Sequence, residues 1–566
     1  MHCICLKQFV RTVIIKMKSI LNSSLRKNLL LSIARYYSDY EHIRFSRSLS
    51  RIEQVQRKKL TSLLKIAQKT EYGEKHSLNE AMTWEDFNKN VPLIDYSDIE
   101  EMIIRQKSEN SPVISGSKCR YYLPTSGITD GIKWIPCTDL FLSELDSATS
   151  QILVYFMKRN RDVFSGKHFW SVPWYPPGIR EEMRSTASDE EQGYIKNKIK
   201  SLFMTVPEKV SFINDYEDYC LANMAYIAAE KNITLISIWN PGVALNLLDQ
   251  LSLHREELSD ILGSGSWGDR SSALSFLPCP RSSGAAKLLR QWKGTLSEQF
   301  FQELWPEMKM ISSWDTGSSQ VWIRELTRLF PNATFQGKGL WATEGVVTIP
   351  FEGKYALAVT SHFYEFLDLE TNRIIPSWGL KKGQTVSPVI STGSGLFRYN
   401  LHDRLEVTGF IDQCPCFSYE GRVAETNIAG EQLSSHLAQK VLNEISEHFT
   451  VNALSLLAIP RDYTENTGPY YLILCDLGAE GVTPEKISSF AEERLISHLH
   501  YKLARDLNQL GPVKVIMHPK ARQLYQNLAA HSGRVIGTMK MEPLVNWENL
   551  EGPAYREILD YTKARS

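Results

Sequence analysis

Residues 124–136 read PTSGITDGIKWIP. Thr125, Ser126 and Thr129 offer hydroxyls, Gly127 and Gly131 free the backbone amides, and Lys133 adds a positive charge, a composition suited to holding phosphate. The spacing is not G-x-x-x-x-G-K-[ST], so it does not specify a P-loop. Three more stretches carry residues of chemical interest: Thr343-Glu344-Gly345 in GLWATEGVV, Asp403 in GLFRYNLHDRLEVTGF, and Lys540 in GTMKMEPL. Singly, these read as a turn beside a strand, a bend residue and a solvated surface lysine. The chain has no H-E-x-x-H, no G-x-S-x-G and no strand–G-x-G-x-x-G–helix unit, which argues against a zinc protease, a serine hydrolase and a dinucleotide oxidoreductase.

The elements that must position these residues are legible in outline. CRYYLP (119–124) reads as a strand running into the first loop. Thr138 then caps a helix whose apolar residues Phe141, Leu145, Ala148, Ile152 and Phe156 step by three or four. The loop is thus expected between a strand and a helix, where free N–H groups meet anions. NITLISIWNP (232–241) and MKMISSWDTGSS (308–319) read as buried strands, the second ending in the Gly317-Ser318 turn. The stretches 335–351 and 354–370 follow, with the alternation of antiparallel strands, and 395–410 reads as two strands bending at His402-Asp403. Beyond the polar stretch GRVAETNIAGEQLSS, strands are expected at VNALSLLAIP, PYYLILCDL and PVKVIMHP. Thr483-Pro484 opens a helix bearing Ile487, Phe490, Leu495 and Leu499.

The 566 residues carry 64 Lys plus Arg and 64 Asp plus Glu, so no net field would gather nucleic acid. Nine scattered cysteines without a C-x-x-C indicate reduced thiols and a cytoplasmic location, and Cys414 and Cys416 lack the partners of a zinc site. No apolar run is long enough to span a bilayer. The first 38 residues hold seven Lys/Arg and no acid; the expectation is an amphipathic helix packed on the protein body or sequence upstream of a start at Met17, rather than a targeting segment.

In order and company these motifs resemble the GH3 family of acyl-acid amido synthetases, within the adenylate-forming superfamily. PTSGITDGIKWIP, GLWATEGVV, GLFRYNLHDRLEVTGF, GRVAETNIAGEQL and GTMKMEPL carry the resemblance, with TEYGEKHSL, EDFNKNVPLIDYSDI and LWPEMKMISSWDTGSS in support, across roughly residues 50–545. The resemblance implies an α/β fold. A large N-terminal domain (1–420) with mixed sheets and a β-barrel-like part would precede a hinge (421–427) and a smaller α+β C-terminal lid (428–566). It implies that ATP and Mg²⁺ serve to activate a small carboxylic acid as acyl-AMP, which an amino acid or similar amine then attacks to form an amide. Transfer to a thiol, or a silent adenylate-fold binding protein, are the rival readings. By resemblance, Thr125, Ser126, Gly127, Thr129, Gly131 and Lys133 grip the departing phosphates, Thr343 bonds the α-phosphate and Glu344 holds Mg²⁺. Asp403 and Arg422 contact the ribose, Gly317 and Ser318 lie along the adenine, and Lys540 swings over the reacting groups. The chain departs from the family pattern in a shorter 131–133 stretch, at Ile128 (a hydroxyl position), at Leu340 (an adenine-stacking aromatic, for which Trp341 can substitute) and at His402 (a glycine). Trp170, Trp174 and Tyr175 are candidates for the acid pocket, with core packing as the equal alternative. The resemblance leaves the acid, the acceptor and the oligomeric state open.

Overall fold

The computed structural model describes residues 38–109, 111–125, 133–171, 174–175, 177–183, 203–315, 320–423, 425–426, 428–429, 431, 433–459, 468–478, 481–531 and 541–546. Ser126, Gly127, Ile128, Thr129, Gly131, Gly317, Ser318 and Lys540 therefore lie outside the described residues, as does the basic stretch up to residue 37.

Strands β1 (Cys119–Pro124) and β2 (Trp134–Thr138) pair antiparallel, and Thr125 N donates to Lys133 O at 2.8 Å. The first loop therefore tips a hairpin, rather than joining a strand to a helix as expected. Trp134–Thr138 is buried at every position, and that burial makes it a strand before Thr138 caps the helix Asp139–Arg159 by accepting from Phe141 N. A parallel sheet follows in the order β3 (Lys167–Trp170), β4 (Ile233–Ser237), β5 (Met310–Ser313), β6 (Thr334–Gly337). FQG at 335–337, read with the alternating stretches, is thus the last parallel strand. A short hairpin, β7 (Trp341–Ala342) and β8 (Gly345–Val346), carries the Thr343-Glu344 turn.

Next come β9 (Thr348–Phe351), β10 (Lys354–Leu357), β11 (Phe363–Asp368), β12 (Ile374–Pro376), β13 (Thr385–Ser391), β14 (Tyr399–Asn400), β15 (Asp403–Ile411) and β16 (Cys414–Arg422). They form one antiparallel sheet in the order β12-β11-β13-β15-β16-β10-β9, with β14 on β13. The barrel-like part takes the form of this open sheet, whose path ends at β12 and β9.

Two buried polar residues tie helices to it. Gln56, on the apolar stripe of the helix Ile52–Ala67, donates to Val359 O and His362 O and accepts from Tyr364 N, satisfying backbone groups that burial would otherwise strand. Glu144, on the buried face of Asp139–Arg159, lies 2.9 Å from His362 Nδ1 and accepts from Gly393 N at 2.8 Å. His362 Nε2 would in turn lie 3.0 Å from a Cβ added at Gly345, so this network backs directly onto the Thr343-Glu344 turn and leaves little room for a side chain after it.

Arg398 is the third anchor. It is 3 % exposed and has φ +55°. Its guanidinium donates to Glu365 Oε2 at 3.0 Å, to Asn88 O at 2.9 Å, and to Val91 O and Asn88 Oδ1. Trp84 Nε1 donates to the other Glu365 oxygen.

After the pair β17 (Glu425–Thr426) and β18 (Leu433–Ser434), a C-terminal sheet runs β21 (Lys514–Met517), β20 (Tyr470–Cys475), β19 (Ala453–Ile459), β22 (Leu544–Asn546). Its strands are apolar on both faces because both are covered. Leu456, Ala458, Tyr471 and Ile473 pack with the helices Ser435–Phe449 and Pro484–Ile496. Leu457, Ile459, Leu472 and Leu474 share an apolar cluster with N-terminal residues such as Trp322 and Leu326. Arg522 crosses the same contact, 4.9 Å over the Trp322 ring and 3.4 Å from Asp249. Leu499, expected on the helix after Thr483, instead opens the next helix and is 72 % exposed. Among the described residues no helix is long and apolar enough to cross a membrane.

Removing Arg398 leaves the buried Glu365 carboxylate without its cation. Arg398→Met is expected to lose about 3–5 kcal/mol of stability in denaturant unfolding, and Arg398→Met combined with Glu365→Gln is expected to lose clearly less.

Candidate active site

The described candidates gather where the hairpin β7–β8, the β14–β15 bend and the end of β16 meet. Asp403 opens β15, 2 % exposed, and pairs in register with Arg422, the last residue of β16. Arg422 Nε lies 3.7 Å from Asp403 Oδ1, and Tyr419 Oη donates to the same oxygen at 3.4 Å. Partial desolvation opposes the Arg422 charge, but the carboxylates of Asp403, Glu542 and Glu344 outweigh it and hold its pKa above the ordinary value. The guanidinium is therefore the electrostatic meeting point of all three segments.

Glu344, at the β7–β8 turn, accepts from Tyr399 Oη at 3.5 Å. Tyr399 is pushed well above the usual tyrosine range by burial and by the Glu344 and Asp95 carboxylates. Tyr96 is raised to about 12 by burial, with Glu100 and Glu344 adding to it. Both phenols stay protonated at neutral pH, and Tyr399 is the one seen donating to Glu344. Tyr96 Oη also accepts from Trp134 N at 2.8 Å, and Lys133 Nζ lies 5.7 Å from its ring, which brings the base of the first loop to the same side. Thr125 Oγ1, at the other base of that loop, is buried without a hydrogen-bond partner among the described residues.

His402 adopts φ +56°, a left-handed conformation that glycine enters without cost. The histidine is held there by Asn400 Oδ1, which accepts from its N–H at 3.1 Å, and by Asp95, 2.7 Å from its Nε2. The departure from glycine thus leaves the bend before Asp403 intact. Leu340 is core, 5 % exposed. Trp341 is half-buried, and its Nε1 has no partner among the described residues. Trp174 belongs to the core, donating to Ile213 O. Trp170 stands at the carboxyl end of β3.

Lys540 is approached only through its neighbours. Glu542 N donates to Tyr525 Oη and Glu542 O accepts from Ser455 Oγ, and its carboxylate acts on Arg422 and Tyr419. The C-terminal unit therefore meets the Asp403 hairpin two residues beyond Lys540. Tyr399, Tyr96 and Tyr419 were not singled out in the sequence; the available signal was the RYN that runs into the Asp403 bend.

Among the described residues no three His, Cys, Asp or Glu side chains cluster as a metal site. A lone carboxylate at Glu344 fits Mg²⁺, which takes few protein ligands and fills its octahedron with phosphate oxygens and water.

The GH3 family N-terminal domain matches residues 42–335 and the GH3 family central domain residues 355–422. Over 406 residues the chain is 25 % identical to a 4-substituted benzoates-glutamate ligase of Arabidopsis thaliana, covering 66 % of this chain and 69 % of that protein. It is 24 % identical over 411 residues to an indole-3-acetic acid-amido synthetase of the same plant, covering 66 % and 68 %. A solved acyl acid amido synthetase in complex with 2,4-DB superposes with a TM-score of 0.76 at 21 % identity, covering 92 % of this chain and 95 % of that one. The two matches cover more than half of the chain, the Asp403–Arg422 pair included: the chain belongs to the GH3 family.

Proposed function

We propose that this protein is an ATP-dependent acid–amino acid ligase. A carboxylate oxygen of a small acid attacks the α-phosphorus of ATP, the bond to pyrophosphate breaks, and acyl-AMP forms. The amine of an amino acid then attacks the acyl carbon, AMP leaves, and the amine gives up a proton as the amide forms. The observation that carries this reading is the convergence of Asp403, Arg422, Glu344 and Tyr399 from separate segments in a chain of this family.

A carboxylate is a poor electrophile until its oxygen is made part of a leaving group. The protein's task is to orient two anions and neutralise charge building on the phosphorus oxygens. Asp403 accepts from the ribose hydroxyls, with Arg422 beside it. Thr343 and the Tyr399 phenol donate toward the α-phosphate. Ser126, Gly127, Thr129, Gly131 and Lys133 grip the departing phosphates with Thr125, whose buried, unpartnered hydroxyl supports that role. Glu344 would hold Mg²⁺, which when bound supplies positive charge to the phosphates. Gly317, Ser318 and Trp341 line the adenine. Lys540 brings its ammonium to the developing charge, a reading supported by the anchoring of Glu542 beside Arg422. The segment 421–427 serves as the hinge between the N-terminal part and the lid. Free thiols throughout the described cysteines support a cytoplasmic enzyme.

Exchange of labelled pyrophosphate into ATP should depend on an added carboxylic acid, and mass analysis of products should show amides with amino acids. Thioesters with coenzyme A would replace the acceptor, and no exchange across a broad acid panel would leave a binding protein. Lys540→Ala should slow exchange by about two orders of magnitude with a far smaller change in ATP affinity, because the contact is made in the transition state; unchanged exchange removes the assignment. Asp403→Ala should weaken ATP binding about tenfold by titration calorimetry, and an unaltered dissociation constant argues against the ribose role.

A further inference from the structure

We propose that Lys338, with Ser237 and Ser312, forms a buried subsite that receives a carboxylate of the acid substrate. The inference rests on the ligase reading and assigns an anchor for the acid within it.

The subsite lies at the carboxyl ends of the parallel strands, where open α/β sheets bind ligands. Trp170, Ser237, Ser312 and Gln336 stand side by side across β3, β4, β5 and β6, so their side chains share one face of the sheet. Lys338 follows β6, 6 % exposed, and reaches back across β5 to donate to Ser237 Oγ at 2.6 Å. Its ammonium lies 5.7 Å from the Trp170 ring and 5.3 Å from the Trp239 ring, and Trp341 packs on Trp239 at 5.5 Å.

A lysine ammonium carries three donors, and among the described residues Ser237 takes one and no carboxylate pairs with it. Asp315 sits on the opposite side, against Gly337 and bonded by the Tyr355 hydroxyl. Among the described residues burial is the one influence on the Lys338 amine, lowering its pKa to about 7, and no charged side chain acts on it.

Independent of the lysine, Ser312 Oγ and Gln336 Oε1 are buried without partners among the described residues, as is Trp341 Nε1. Ser312 is 0 % and Gln336 5 % exposed. A buried amine beside two indole rings and an orphaned hydroxyl on the same sheet face are costly without partners. A carboxylate supplies the counter-charge for the Lys338 ammonium and an acceptor for the Ser312 hydroxyl, while Trp170 and Trp239 cover an apolar body; Gln336 Oε1, itself an acceptor, calls for a donor and does not bind the carboxylate. In a monoacid that carboxylate is the reacting one; in a diacid it is the second.

The test compares the wild type with Lys338→Met, which keeps length and burial, and with Ser312→Ala, which removes only a hydroxyl. Melting temperature and ATP affinity serve as folding controls. The probes are benzoate, phenylacetate, indole-3-acetate, hexanoate, terephthalate and adipate, in pyrophosphate exchange and in calorimetry at pH 8 in two buffers of different ionisation enthalpy. The wild type should take up close to one proton per acid bound, and Lys338→Met none. That variant should raise KM about tenfold or more, for every acid if Lys338 holds the reacting carboxylate and for the diacids alone if it holds the second. Ser312→Ala should raise it less. Equal KM and equal proton uptake in wild type and Lys338→Met overturn the subsite while leaving the ligase standing. Lys338-dependent binding without exchange keeps the subsite and removes the ligase. No Lys338-dependent binding by any probe overturns the subsite.

Discussion

A buried cation with a left-handed backbone sets the geometry on which the nucleotide side of this molecule depends. Arg398 can occupy the interior because Glu365 neutralises it and because the carbonyls of Asn88 and Val91 take its remaining donors. Those partners come from an N-terminal helix and from β11, so one side chain joins helical layer to sheet. The next residue is Tyr399, which faces Glu344, and five residues on is Asp403. A pair that is worth little as net stability therefore matters for position: it determines where the chain leaves the core before the bend.

The Glu144–His362 contact does the equivalent work behind the Thr343-Glu344 turn. It sits under Gly345, where a Cβ would be tightly packed, and so backs the turn onto the sheet. The site is thus assembled from flexible-looking segments, a turn, a bend and a strand end, each seated on a buried polar contact. Rigid support beneath mobile-seeming loops is what charge stabilisation requires, because donors must already point at the charge when it develops.

Much of this was legible in the residues. Strands such as 453–459 announced themselves through apolar runs, interrupted there by Ser455 alone, and Thr138 and Thr483 acted as the caps their positions suggested. The order of the motifs carried the family. What escaped was polarity on buried faces. Gln56, Glu144 and Arg398 look like ordinary surface residues in a helix or strand pattern, and only the folded chain shows which carbonyls and amides they serve. Lys338 escaped for the same reason, since a lysine beside a glycine reads as a solvated turn until a second strand is seen two places away. The first loop tips a hairpin rather than joining strand to helix because WIPCT pairs as a strand, and its complete burial shows only in the folded chain.

Arg422 is both the partner of Asp403 and the final residue of β16, after which the chain crosses to the C-terminal unit. The proposed ribose contact and the tether of that unit are consequently the same few atoms. Any torque applied through the connector arrives first at the Asp403–Arg422 rung, the last one in the ladder. With Asp403 holding the ribose as proposed, the hairpin is a lever with its load at one end and its fulcrum beside the nucleotide, so an occupant of that site would stiffen the fulcrum.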